Sequence, residues 1–242
     1  MELKIIYEDD NVLVIDKPAE MVVFQEKESS PVNRKKTLID YLIEKKPELK
    51  NVGKVPRYGI VHRLDRDTSG IILIAKNNKT LEFLQNQFKE RKVIKKYIAL
   101  VVGELKENKG QIETLIGRSP SDRKKQKVYL PGEPHSEGKR EAKTNYKVLE
   151  KFKNFTLLEI EPKTGRKHQI RCHLNWIHHP IAGDKLYGFK DQINPKGLKR
   201  QFLHANYLKI KLSSGEEKEL ISGLSKDLKE VIKKLKENVG SN

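Results

Sequence analysis

The chain has 242 residues, enough for one large domain or two small ones, with 36% hydrophobic and 34% charged residues. Lys and Arg total 50 against 33 Asp and Glu, a net charge of +17 that favours polyanions, nucleic acid above all, unless it is only a Lys-rich solvated surface. The longest apolar stretch, around residues 97–102, is far shorter than the roughly 20 residues of a membrane span, and the single Cys172 excludes an internal disulfide.

In chain order, residues 5–7 and 12–16 read as strands of a β-hairpin around Glu8-Asp9-Asp10-Asn11. The N-terminus runs straight into this pattern, so no signal or transit peptide is expected. Segments 25–36 and 44–59 are polar and rich in Lys and Pro, and they bracket a short amphipathic helix near 37–43. Residues 60–63 and 71–75 are strand-like runs joined by Asp65-Arg66-Asp67-Thr68-Ser69-Gly70. A helix follows from about Asn78, with Leu81, Leu84 and Phe88 spaced by three and four. Residues 95–102 and 111–116 are further strands, and the basic, turn-rich 117–138 reads as a long surface loop or insertion.

Beyond it, 144–151 and 155–161 flank Phe152-Lys153-Asn154 as a second hairpin. A helix over about 167–178 follows Thr164-Gly165 and stops before Pro180. Residues 201–205 and 207–212 predict strands. A last helix, about 224–237, puts Leu224, Leu228, Val231, Ile232 and Leu235 on one face. Strands joined by short turns, with helices interspersed, predict one α+β domain over 1–242 with a mixed, largely antiparallel sheet and the last helix packed on it.

Chemistry concentrates in three places. The segment from Ile60 to Ile74 encloses two carboxylates, two arginines and two hydroxyls between apolar runs, more charge than a plain hairpin turn needs. Asp65, flanked by Arg63 and Arg66, suits either an ionised cleft carboxylate or an Asx-turn cap. In the second, Ile170, Leu174 and Ile177 form an apolar stripe, and His168, Arg171 and Asn175 share the neighbouring face. Arg171 there suits two-point contact with a carboxylate or phosphate, or simply a basic exposed face; Gly165 lets helix amides approach an anion. Third, Tyr97, Ala99 and Val101 share a strand face, where a Tyr is by itself a packing residue. His168, Cys172, His173, His178 and His179 lack zinc-site spacing, and no phosphate-binding glycine motif occurs, so neither metal nor cofactor is expected.

Together these segments resemble the RluA family of pseudouridine synthases. His62-Arg63-Leu64-Asp65-Arg66-Asp67-Thr68-Ser69-Gly70 is similar to the family's central motif, and Lys96-Tyr97 and Thr164–Leu174 to the motifs carrying its Tyr and Arg. His179–Gly188 and Leu203-His204-Ala205 follow in the family's order, and the likeness runs from about Glu2 to Ile221. It implies an enzyme that isomerises uridine in ribosomal large-subunit or transfer RNA, without cofactor, as a cytoplasmic monomer. It implies Asp65 as the catalytic carboxylate, Tyr97 stacked on the uracil and serving in proton transfer, and Arg171 holding Asp65 ionised and oriented. Arg63, filling the stack left by the flipped base, and His62, Arg66, Arg166 and His168 become RNA contacts. The chain departs from the family in having Glu20 at a usual Gly position, and no S4-type N-terminal domain is expected, which would leave target choice to the catalytic domain and its basic loops. The reading from another class is a non-catalytic RNA-binding or ribosome-assembly factor on the same fold.

Overall fold

The computed structural model describes residues 3–25 and 36–237. Strands β1 (Lys4–Glu8) and β2 (Val12–Lys17) pair antiparallel, their turn closed by Asp9, whose Oδ1 accepts the Asn11 and Val12 amides at 2.7 Å each. Of the polar segment 25–36, residues 26–35 lie outside the described residues. Helix α1 (Leu38–Lys45) starts at a capping box formed by Thr37 and Asp40. A 3-10 turn follows over Pro47–Asn51.

Strand β3 (Ser69–Ala75) is buried at every position, so it is a continuous apolar run without alternation. The predicted strand 60–63 is not one: only Ile60 bridges, to Ile74, and the chain then leaves the sheet with Val61 and His62. Helix α2 (Asn78–Lys89) begins where its spacing predicts, with Asn77 capping the Thr80 amide at 2.8 Å.

Next come β4 (Ile94–Val102), β5 (Lys109–Arg118), β6 (Gln126–Tyr129), β7 (Arg140–Phe152) and β8 (Phe155–Pro162). Strand β6 corrects the reading of 117–138 as loop throughout: it pairs antiparallel with β5. Helix α3 (Gln169–Trp176) starts two residues later than predicted, because His168 adopts a left-handed conformation at φ 55°. The two strands expected around Asn206 are one, β9 (Leu203–Lys211), and the unpredicted β10 (Glu217–Ile221) pairs with it antiparallel. Helix α4 (Lys226–Glu237) closes the order.

The chain forms two compact units, Met1–Ile94 with Ala205–Gly223, and Lys95–His204 with Leu224–Asn242. In the first the strand order is β1-β2-β3-β9 with β10 on β9, around a core that includes Leu13, Ile15, Ile72, Leu73, Leu84 and Leu208. In the second the order is β4-β8-β7-β5-β6. There Leu100, Leu158, Leu174 and Phe202 pack with Leu228 and Val231 of α4, and a smaller cluster joins Ile116, Val128, Cys172 and Tyr187. Each such buried Leu or Ile contributes roughly 1.5–3 kcal/mol of transfer free energy.

Candidate functional site

In the first unit the motif loop leaves β3's neighbourhood as an ordered turn. The Thr68 amide donates to the Asp65 carbonyl at 3.2 Å, and Leu64 anchors the loop from beneath with 5% exposure. Asp65 is half-buried, whereas Arg63 and Arg66 are exposed. Lys17, fully buried at the end of β2, donates from Nζ to the carbonyls of Pro18 (2.7 Å), Met21 (3.0 Å) and Arg66 (3.1 Å), so it ties the turn after β2 to the loop. Gly70 ends the motif at φ 114°, where a Cβ would meet the Ala205 carbonyl oxygen of β9 at 2.2 Å; only glycine permits that approach.

His62 accepts the Leu73 amide at Nε2 (3.1 Å) and stacks on Phe88 of α2 with ring centroids 5.0 Å apart. An accepting Nε2 in a neutral ring puts the proton on Nδ1. The guanidinium of Arg63 lies over the Phe24 ring at 5.1 Å, as does that of Arg57. Arg66 pairs with its neighbour Asp67 at 3.1 Å.

In the second unit Tyr97 sits on β4 opposite Ile160, half-buried against the core. Beside it Lys96 pairs with Glu159 at 3.1 Å, and burial lowers the ammonium pKa of Lys95. The Thr164–Leu174 segment is fixed by Gln169. Its Oε1 accepts from the Thr164 hydroxyl (2.7 Å) and the Arg166 amide (3.0 Å), and its Nε2 donates to the Lys143 carbonyl and to Thr144 Oγ1. The Arg166 amide is thus taken within the protein, and Arg166 Nε donates to the Glu141 carbonyl on β7.

Arg171 is 7% exposed and grips Asp184 with both arms of its fork, Nε to Oδ2 at 2.7 Å and Nη2 to Oδ1 at 2.9 Å. Burial pushes the Asp184 carboxyl up, but the bonds and charge of Arg171 and the amides of Tyr187 and Leu186 outweigh it and hold the group below the ordinary carboxylate range. The expected common face of His168, Arg171 and Asn175 exists, and all three meet Tyr187. His168 Nδ1 is hydrogen-bonded to its hydroxyl (3.0 Å), Arg171 lies over its ring (5.0 Å), and Asn175 Nδ2 donates to its carbonyl (2.7 Å). The neighbouring His and Cys diverge: His173 sits between the Thr114 and Thr144 hydroxyls, and Cys172 donates to the Gln126 carbonyl.

The structure therefore gathers His62, Arg63, Asp65 and Arg66 in the first unit, and Tyr97, Arg166, His168 and Arg171 in the second. Sequence reasoning assigned no role to Lys17, Gln169, Asp184 or Tyr187. All four stand inside segments read from the sequence, but each has a partner distant in the chain: Arg66 for Lys17, Lys143 and Thr144 for Gln169, Arg171 for Asp184, and Gln126 for Tyr187.

The model of the RNA pseudouridylate synthase family matches residues 11–176. An uncharacterized RNA pseudouridine synthase of Bacillus subtilis is 39% identical over 239 residues, 98% of this chain and 74% of that protein. One of Aquifex aeolicus is 44% identical over 198 residues, covering 81% of this chain and 59% of its own length. The ribosomal large subunit pseudouridine synthase D of Nitrosomonas europaea is 42% identical over 214 residues, 86% of this chain and 58% of that protein. The solved structure of human RNA pseudouridylate synthase domain containing 1 aligns with a TM-score of 0.75 at 25% identity, over 100% of this chain and 96% of that one. A family model covering both the Asp65 loop and α3, and close relatives along nearly the whole length, make this chain a member of the RluA-type RNA pseudouridylate synthase family.

Proposed function

We propose that this protein isomerises uridine to pseudouridine in RNA, with ribosomal large-subunit RNA as its substrate. The observation that carries the reading is the ordered set of motifs around Asp65, Tyr97 and Arg171, all within the residues matched by the family model. The name of the Nitrosomonas relative supports the choice of RNA. The cytoplasm, where such RNA is made, suits the single buried Cys172.

The reaction breaks the N1–C1′ bond, turns the retained uracil, and joins C5 to C1′. C5 gives up a proton and N1 gains one, so the product is an isomer and no redox partner is needed. Glycoside hydrolysis uses one carboxylate for the sugar and another to serve water. Here water must stay out, and one carboxylate suffices. Asp65 acts at the sugar, either by attack at C1′ or by opening a glycal route. Tyr97 stacks on the uracil and takes part in the proton transfer at C5. Arg171, already fixed by Asp184, orients Asp65. A base within a helix is out of reach, so the uridine is flipped out or lies in a loop, and Arg63 enters the vacated stack.

Tritium release from RNA labelled at uridine C5 tests this directly. Unmodified large-subunit transcripts should release tritium with wild type and without added metal, and Asp65→Asn should lower the rate by at least about 10³-fold while RNA affinity barely changes. Release from transfer RNA alone would move the substrate. Binding without release from either RNA would leave a non-catalytic RNA-binding protein.

A further inference from the structure

Tyr187 touches both members of the buried Arg171–Asp184 pair. Its backbone amide donates to Asp184 Oδ1 at 3.0 Å, and the Arg171 guanidinium lies over its ring, 5.0 Å from Cζ to the centroid. The residue is only 6% exposed, and a cation is drawn to an aromatic face more strongly where water is excluded.

The ring is pinned at its far end. Its hydroxyl accepts the Gln126 amide of β6 at 2.6 Å, which leaves the hydroxyl hydrogen to donate to His168 Nδ1 at 3.0 Å in the neutral imidazole. The imidazole also meets the ring edge to face, with centroids 5.6 Å apart and planes at 84°. His168 has the left-handed φ of 55° at the start of α3, so the same hydroxyl fixes the residue from which the helix bearing Arg171 sets out. At its other end Tyr187 is held by Asn175, whose Nδ2 donates to its carbonyl at 2.7 Å.

Asp184 and Tyr187 restrain the guanidinium in different directions. The carboxylate takes Nε–H and one N–H of Nη2, which settles where the fork points but leaves it able to rock out of the carboxylate plane. A ring fixed against the face of the guanidinium opposes that rocking. Of the five N–H groups, three are left to other acceptors, and their direction is set by this tilt. We propose that Tyr187 is a positioning residue of the reaction, its ring holding the Arg171 guanidinium at the tilt from which Arg171 orients the catalytic carboxylate. This rests on the part proposed for Arg171.

The test replaces Tyr187 with phenylalanine and with its mono-, di- and trifluorinated forms, which draw electron density from the ring face while nearly keeping its size. Tritium release is followed on large-subunit and transfer RNA transcripts. Tyr187→Phe should lower kcat by about threefold through loss of the hydroxyl pin, and the trifluorinated ring by roughly a further tenfold, in even steps of log kcat. KM and the urea midpoint should stay constant along the fluorinated series. In protein carrying isotope-labelled arginine, the Arg171 Nε–Hε resonance, assigned by its loss in Arg171→Lys, should move in step with kcat. A kcat that is flat along the series, or that falls together with the urea midpoint, would overturn the proposal, because the ring would then only fill space. A falling kcat with a stationary Arg171 resonance would overturn it too, since the ring would act elsewhere. Tritium release by wild type separates the two readings. With release from wild type and no trend along the series, the part of Tyr187 alone falls. With no release from wild type on either RNA, the proposed reaction falls and takes the part of Tyr187 with it.

Discussion

Arg171 and Asp184 are a buried ion pair, with side-chain exposures of 9% and 0%. Removing two such charges from water costs several kcal/mol each, which is offset only where the geometry is good and the remaining lone pairs are used. Here both conditions hold, since Asp184 Oδ1 also accepts the amides of Leu186 (2.9 Å) and Tyr187 (3.0 Å). The guanidinium is thus held in one plane before any RNA arrives, which suits the positioning part proposed for Arg171. Asp184→Asn keeps the shape but removes the charge and turns one acceptor into a donor facing Arg171. It should lower stability by about 3 kcal/mol in urea titration and reduce kcat far more than RNA affinity. An unchanged urea midpoint would contradict the pair's structural part, and an unchanged kcat its part in positioning.

The turn after β2 shows how an element bears a sequence departure. Glu20 stands at φ 64°, a left-handed conformation that glycine adopts without cost and other residues do not. The turn keeps the shape that a glycine would give it, and Lys17 accounts for this by binding the carbonyls on either side, those of Pro18 and Met21. Glu20 is exposed, so Glu20→Gly relieves backbone strain and removes no buried contact. It should stabilise the protein by roughly 0.5–1 kcal/mol, after allowing for the greater freedom of glycine in the unfolded chain. A lower urea midpoint would refute the strain. Hairpins and helices with an apolar face, such as β1–β2, β7–β8 and α2, were readable because burial imposes their period. Strands β6 and β10 were not, since both are short and carry Lys or Glu, and pairing with β5 and β9 holds them in the sheet. Residues 61–63 failed the other way: they look like a strand, but His62 and Arg63 turn to Phe88 and Phe24. The motif residues were legible by type and order. Their partners Asp184 and Tyr187 were not, because a fork bond or a stacked ring between distant residues leaves no periodic trace.

For the molecule as a whole, pH separates two sources of stability. The carboxylates held low by partners, such as Asp184 and Asp227, contribute stability that is present above the ordinary carboxylate range and is lost only as pH falls below about 4. His173 acts earlier. It is wholly buried between Thr114 and Thr144, and burial lowers its pKa from 6.5 to about 4. The unfolded chain therefore takes up a proton on this imidazole below pH 6.5 while the folded protein does not, and uptake by the unfolded state alone favours unfolding. Stability from this group is complete above 6.5 and falls by about 3 kcal/mol on going to pH 4. His173→Gln keeps a side chain able to donate to one threonine hydroxyl and accept from the other. Urea midpoints between pH 7 and 4.5 should fall steeply for wild type and much less for the variant. Parallel profiles would show that the acid loss comes from general repulsion in a chain already at +17, not from the buried imidazole.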